Sequence, residues 1–324
     1  MKKHYYQNLG LTLIIAFFSL PLLAQYDFTK ADSIAKNIIS EEVELTELAQ
    51  QLTQDLSTEA EKARALYMWV AGNVRYDCKK YHNRKTPKFT ARSEAELAEK
   101  VAAYYEKGIV KTLQRQRGVC EDYSRLYKAM SDAVGLETVL VGGNARDFHK
   151  PYKKALDNPH AWNATKIEGK WYLLDATWGA GYTNAEVTQF KKRLSPGYFM
   201  VDPVSFVQTH YPDESKWQLL DKPLSKKAFA NQPMVNVADV KYQIEEASPQ
   251  IEASQNGKRM VRFKFKNPPK YLMVSNRRSK PIPFKKRIEG DYIVLEFSKS
   301  SAKKVVIWGG NSKKRLNWMA MYKA

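Results

Sequence analysis

The stretch HAWNATKIEGKWYLLDATWG, His160 to Gly179, restricts local structure more than any other part of the chain. Two runs rich in β-branched and aromatic residues, His160–Ile167 and Lys170–Asp175, flank the dipeptide Glu168–Gly169. That arrangement predicts an antiparallel hairpin closed by a two-residue turn. Ile167 then faces Lys170, and the register continues until His160 lies opposite Thr177 and Asp175 opposite Trp162. His160 and Asp175 become diagonal neighbours on one face, a separation that long side chains close. A one-residue slip would leave the two on the same face as each other, against different neighbours. A carboxylate in that position orients an imidazole and supports its charged form.

Upstream, in RGVCEDYSRLYKAMSDAVGL, Cys120 directly precedes an amphipathic pattern. Tyr123, Leu126, Tyr127, Met130 and Val134 fall on one helical face, and Gly135 supplies the stop. Unpaired N–H groups and the positive end of the dipole gather where such a helix begins. They stabilise a thiolate, and the free thiol pKa of about 8.5 falls by several units in that setting. Gly118 lets the backbone come close to the sulfur and to a substrate carbonyl. Cys120 as nucleophile, His160 as base and Asp175 as orienting group make a candidate triad, with the Cys120 N–H a natural oxyanion donor.

These two segments, in this order and spacing, resemble the transglutaminase-like superfamily of papain-type cysteine enzymes over roughly residues 58–180. The later segment YFMVDPVSFVQTHYPDESKWQLL resembles the extension found in the kyphoscoliosis-peptidase and cytokinesis-protein branch. The resemblance implies an α+β fold in which a helix opened by Cys120 packs on a sheet bearing His160 and Asp175. It also implies thioester chemistry on a carboxamide: water as second substrate gives a peptidase or amidase, a lysine amine gives a cross-linking transferase. Hydrolysis is the first expectation. Some members keep the fold without the chemistry, which leaves a binding or scaffolding module as the rival. Gln114, six residues before Cys120, is spaced like the oxyanion glutamine of papain-type proteases. Trp162, Asn163 and Trp178 match motif neighbours in the family and are expected to pack. Calcium dependence, known among animal transglutaminases, finds no dense Asp/Glu loop to support it, so no metal or cofactor is expected.

The first residues place Lys2 and Lys3 ahead of an apolar run from Leu9 to Ala24, short for a membrane span of about 20 residues. A basic start, a short apolar block and a small residue at its end predict a secretory signal removed after Ala24. The expected protein is secreted or periplasmic, with no integral span once the signal is gone. Losing Lys2 and Lys3 lowers the net charge from +19 to +17, which favours anionic polymers or surfaces. Export, and the lack of zinc-finger, RNP or phosphate-loop motifs, argue against nucleic acid. A peptide or protein substrate is expected, with a cell-envelope polymer among the candidates. Two cysteines, Cys78 and Cys120, provide no disulfide framework, and Cys78 is expected to be an ordinary buried side chain.

Elsewhere, residues 26–56 read as polar helix, and Thr58 with Glu61 forms a capping box before the apolar face of Leu66, Trp69, Val70 and Val74. Residues 93–113 are again helical, and Thr138–Val141 read as a strand closed by Gly142 and Gly143. Residues 180–235 are loop-rich, with four prolines. From about residue 236, VKYQI, RMVRFKF, YLMV, YIVLEF, KKVVIW and NWMAMY are short alternating runs, the pattern of a small β-sandwich. The expected organisation is a signal over 1–24, a papain-like transglutaminase core over 25–234, and a C-terminal β-sandwich over 235–324.

Overall fold

A computed structural model describes residues 26–38, 44–146, 156–236, 241–254, 257–276, 278–298 and 304–323. The signal expected over 1–24 and most of the loop before His160 lie outside them. Three helices, Thr29–Asn37, Leu45–Thr53 and Glu59–Asn73, open the described chain. The third starts on the capping box read from the sequence. Thr58 Oγ1 accepts from the Glu61 N–H at 3.2 Å, and Glu61 Oε2 accepts from the Thr58 N–H at 3.1 Å. Leu66, Trp69 and Val70 of this helix are fully buried, and they share one core with Leu48, Leu52, Tyr123, Tyr127 and Met130. Apolar side chains at helical spacing fold these helices around the cysteine helix, Cys120–Ala133. A long helix, Glu94–Arg115, leads into it.

The cysteine helix lies on a four-stranded antiparallel sheet. Its strands run in the order Lys170–Leu174, Pro159–Ile167, Thr138–Ala145 and His210–Pro212. Two buried polar contacts pin helix to sheet. Asn163 Nδ2 donates to the Ser124 carbonyl at 3.0 Å, and Thr165 Oγ1 to Tyr127 Oη at 3.3 Å. Trp162, Ala164 and Leu173 face the other way and pack with Val141 and Phe206. The hairpin turn has Glu168 and Gly169 both at positive φ (50° and 79°), the conformation a tight two-residue turn requires, and Ile167 pairs with Lys170 as the sequence predicts.

The register expected at the open end of that hairpin does not form. Pairing stops at Asn163 with Leu174, because Asp175 leaves the ladder to cap the short helix Ala176–Ala180. The strand from Thr138 also runs through Gly142 and Gly143 to Ala145 rather than ending at them. Gly143 is required there for space: a Cβ would sit 2.3 Å from the Tyr211 carbonyl oxygen and 2.7 Å from the Trp162 ring. Without a side chain, the strand His210–Pro212 joins the sheet beside it.

The C-terminal part is a pair of antiparallel sheets. One orders Ile244–Ala247, Arg259–Phe265, Tyr292–Phe297 and Phe284–Glu289, with Glu252–Ala253 also pairing on the second of these. The other orders Pro281–Ile282, Tyr271–Asn276, Lys304–Ser312, Arg315–Lys323 and Met234–Val235. Val261, Phe263, Leu295 and Phe297 from the first sheet meet Val274, Val305, Ile307 and Tyr322 from the second in one buried core. Two inner faces interdigitating in this way make a β-sandwich. The edge strand Phe284–Glu289 is absent from the sequence reading because FKKRIE is mostly charged. Lys285, Lys286 and Arg287 on a sheet edge are the usual protection against edge-to-edge pairing.

Candidate active site

Cys120 is the first residue of its helix, so its N–H has no carbonyl one turn back to bond. The approach is held by a short parallel pairing of Arg75–Tyr76 with Arg117–Gly118. Asp122 closes the turn: its Oδ2 accepts from the Val119 N–H at 2.7 Å, and Lys80 Nζ balances the carboxylate at 2.7 Å. A Cβ on Gly118 would come within 2.5 Å of Asp122 Cβ, so glycine is needed for this closure. The Cys120 thiol is free and 5% exposed.

His160 is the second residue of its strand, opposite Gly143, and its Nε2 lies 2.7 Å from Asp175 Oδ2. Since a carboxylate only accepts, that nitrogen carries the proton, leaving Nδ1 for the thiol. Burial works against charge on His160. The Asp175 field and hydrogen bond, with the Cys120 thiolate, outweigh it and push the imidazole up to about 10. For Cys120, burial again opposes the ion, but the His160 hydrogen bond and charge and the Ala161 N–H carry the thiol below its ordinary value. Both shifts favour charge separation between the Cys120 thiol and the His160 imidazole.

Asp175 is completely buried, and both its oxygens are engaged. Oδ1 accepts from the Trp178 N–H at 3.0 Å as a helix cap. Oδ2 meets His160 Nε2 and, at 3.1 Å, His210 Nε2. Burial raises this carboxyl, yet the His160 charge and the hydrogen bonds from both imidazoles hold it well below the usual carboxylate range. His210 is a site residue the sequence reading does not identify. It lies in the proline-rich stretch without periodicity, and the sole local sign is the short run THYP between turns.

Among the described residues, one group has metal-ligating side chains close enough to hold an ion: His160, Asp175 and His210, whose donor atoms lie within 4.8 Å of one another. Both Nε2 atoms point their protons at the carboxylate, so a metal would have to displace them and take the base from Cys120. The donor set fits a hydrogen-bonded relay better than a metal centre.

The structure places two further residues of the sequence reading. Gln114 is exposed on the last turn of Glu94–Arg115, whose buried side is given to Thr112 and Leu113, so its oxyanion reading gains no support. Cys78 is half-buried rather than buried, at the start of the short helix Cys78–His82, and burial with the Asp77 carboxylate pushes its thiol up. The expected packing residues do pack: Trp162 is buried, and Trp178 lies 5.9 Å from the His160 ring.

A thiol at a helix start, an imidazole against it and a buried carboxylate behind the imidazole, on a helix-over-antiparallel-sheet core, define the transglutaminase-like class. Residues 46–176 match the model of the transglutaminase-like superfamily. Among curated relatives, the mouse kyphoscoliosis peptidase is 29% identical over 206 residues, 63% of this chain and 28% of that protein. Hillarin of Drosophila melanogaster is 26% identical over 230 residues, 67% of this chain and 26% of its own. The chain thus spans less than a third of the length of these relatives. A solved TGase structure aligns over 50% of this chain and 35% of its own at 17% identity, with a TM-score of 0.28, too slight a likeness to bear on function.

Proposed function

We propose that the protein is an exported cysteine hydrolase that cleaves peptide or other carboxamide bonds through a thioester. The observation that carries this reading is the 2.7 Å contact of His160 Nε2 with Asp175, which leaves Nδ1 to serve a Cys120 thiol at a helix start. The thiolate attacks the carbonyl carbon, and the Cys120 N–H faces the developing oxyanion. His160 then gives its Nδ1 proton to the departing amine, leaving an acyl thioester. Water attacks the thioester as His160 takes its proton, and release of the acid restores the thiolate. A lysine amine in place of water would make the same site a cross-linking transferase.

Export is supported by the leader pattern ending at Ala24. Among the described residues no helix is long and apolar enough to cross a membrane. Residues 235–324 contain 20 of the 53 Lys and Arg but 7 of the 34 Asp and Glu, so most of the positive excess lies on the β-sandwich. That distribution suits a module that holds the enzyme on an anionic polymer while the papain-like part does the chemistry. Profiling the purified protein against peptide and peptidoglycan libraries, with a primary amine as competing acceptor and a Cys120→Ala control, tests the reading. Cys120-dependent release of acid products is expected. Turnover that survives in Cys120→Ala overturns the mechanism, and amine incorporation in place of hydrolysis reassigns the reaction. N-terminal sequencing from the native host should find a chain starting near Gln25; an intact Met1 on cytoplasmic protein would end the export reading.

A further inference from the structure

We propose that His210 is a positioning residue of this site, a neutral imidazole whose Nε2–H locks the Asp175 carboxylate so that His160 is held toward Cys120. The proposal rests on the cysteine chemistry proposed above.

The contacts put a proton on Nε2. His210 Nε2 lies 3.1 Å from Asp175 Oδ2, the same oxygen that takes His160 Nε2 at 2.7 Å, and a carboxylate oxygen only accepts. Nδ1 lies 2.9 Å from the Thr209 hydroxyl, which is also 3.3 Å from the Phe206 carbonyl. The ring is wholly buried, stacked on Phe206 at 3.9 Å and packed against Trp178 and Trp162 at 4.6 and 5.1 Å. The ionisable side chains it meets are Asp175 and the neighbouring imidazole of His160, with ring centroids 5.5 Å apart. Burial outweighs the help of Asp175 and keeps His210 below its ordinary value, so the ring is uncharged at neutral pH.

A neutral donor here has two consequences. With Oδ1 capping a helix and Oδ2 shared by two imidazoles, the carboxylate cannot rotate, so the His160 ring plane is set before substrate arrives. The second hydrogen bond also favours the ionised form of Asp175, which keeps a full negative charge behind His160. The fold is built to bring this residue in. The strand His210–Pro212 reaches the sheet because Gly143 leaves room for it.

The test needs no substrate: the rate of Cys120 alkylation by iodoacetamide, followed by mass spectrometry of the Cys120 peptide from pH 4 to 9. A paired thiolate reacts on an acidic limb where an ordinary thiol is silent. His210→Phe keeps the stacking and loses the donor. It should lower the acidic-limb rate about 10- to 100-fold, the usual weight of a hydrogen bond to a buried charge, with melting temperature close to wild type. His210→Gln restores an N–H donor and should recover most of the loss, which a merely structural role would not explain. If His210→Phe does not fold, Thr209→Val carries the test: loss of the hydroxyl removes the polar partner of His210 Nδ1 and lowers the same limb by a smaller factor. A wild-type profile in His210→Phe, or in Thr209→Val where that stands in for it, overturns the role of His210. An absent acidic limb in the wild type instead overturns the cysteine–histidine reading itself.

Discussion

His160 Nε2 and Asp175 Oδ2 lie 2.7 Å apart although the two residues are not paired across their hairpin. Asp175 has left the ladder one residue after Leu174 and turned its carboxylate inward as a helix cap. The cap and the contact with His160 use different oxygens of one side chain, so the start of the helix Ala176–Ala180 holds the His160 ring in place. A change at Asp175 therefore touches helix and base together.

That coupling shapes the triad variants. Cys120→Ala should abolish acyl transfer, and His160→Ala nearly so, with both folded. Asp175→Asn keeps a good cap, since Asn serves that role as well as Asp, but turns a donor or a weaker acceptor toward two N–H groups. Its kcat should fall about 10²- to 10⁴-fold, measured on a substrate from the profiling, while circular dichroism stays native.

The raised pKa of His160 makes stability depend on pH in a defined direction. With the folded value at about 10 and the ordinary value at 6.5, the folded state holds its proton more tightly across that interval. The stabilisation is complete below pH 6.5 and is lost as pH rises through 10. Urea unfolding at several pH values should show wild type losing stability over this window relative to His160→Gln. Parallel curves for the two proteins would refute the charged imidazole.

Gly143→Ala tests how the sheet makes room. Its Cβ would meet the Tyr211 carbonyl oxygen and Pro212 Cα, both backbone, at 2.3 and 2.8 Å, and neither can swing aside. Calorimetry should show a loss of about 1–3 kcal/mol, typical of overpacking, together with a weaker acidic limb of Cys120 alkylation as the His210 strand is displaced.

The β-sandwich should be separable from the chemistry. Its core draws on Val235 and later residues, while the core around Cys120 ends at Met200. A chain ended after Gln232 should keep thiolate reactivity at Cys120 and lose retention on immobilised dextran sulfate. Full-length protein should elute at a salt concentration that screens exposed charge, a few tenths molar. Equal retention of both would place the polymer-binding surface elsewhere.

The helix opened by Cys120, the Thr58–Glu61 cap and the Glu168–Gly169 turn were all legible in the sequence. Each is a local device: side-chain spacing, a cap three residues long, a turn that needs two positive φ angles. The same locality explains the strands after residue 236, whose alternation shows which face is buried. It also explains the miss at Phe284–Glu289, where charge on an edge hides a strand from any hydrophobic count. Gln114, expected as an oxyanion donor from its papain-like spacing, is exposed on the last turn of its helix, a placement that spacing does not decide.

The sequence by itself singled out Cys120, His160 and Asp175 as the candidate triad, because two short segments carry them and local geometry decides how each begins. Only the tertiary structure decided that His210, 35 residues from Asp175, completes the carboxylate's hydrogen bonds. That contact depends on a three-residue strand docking beside Gly143, with too few residues to show a period and no local partner. Long-range pairing of so short a segment is set by the space and the unsatisfied acceptor waiting for it, and both exist only once the sheet has formed.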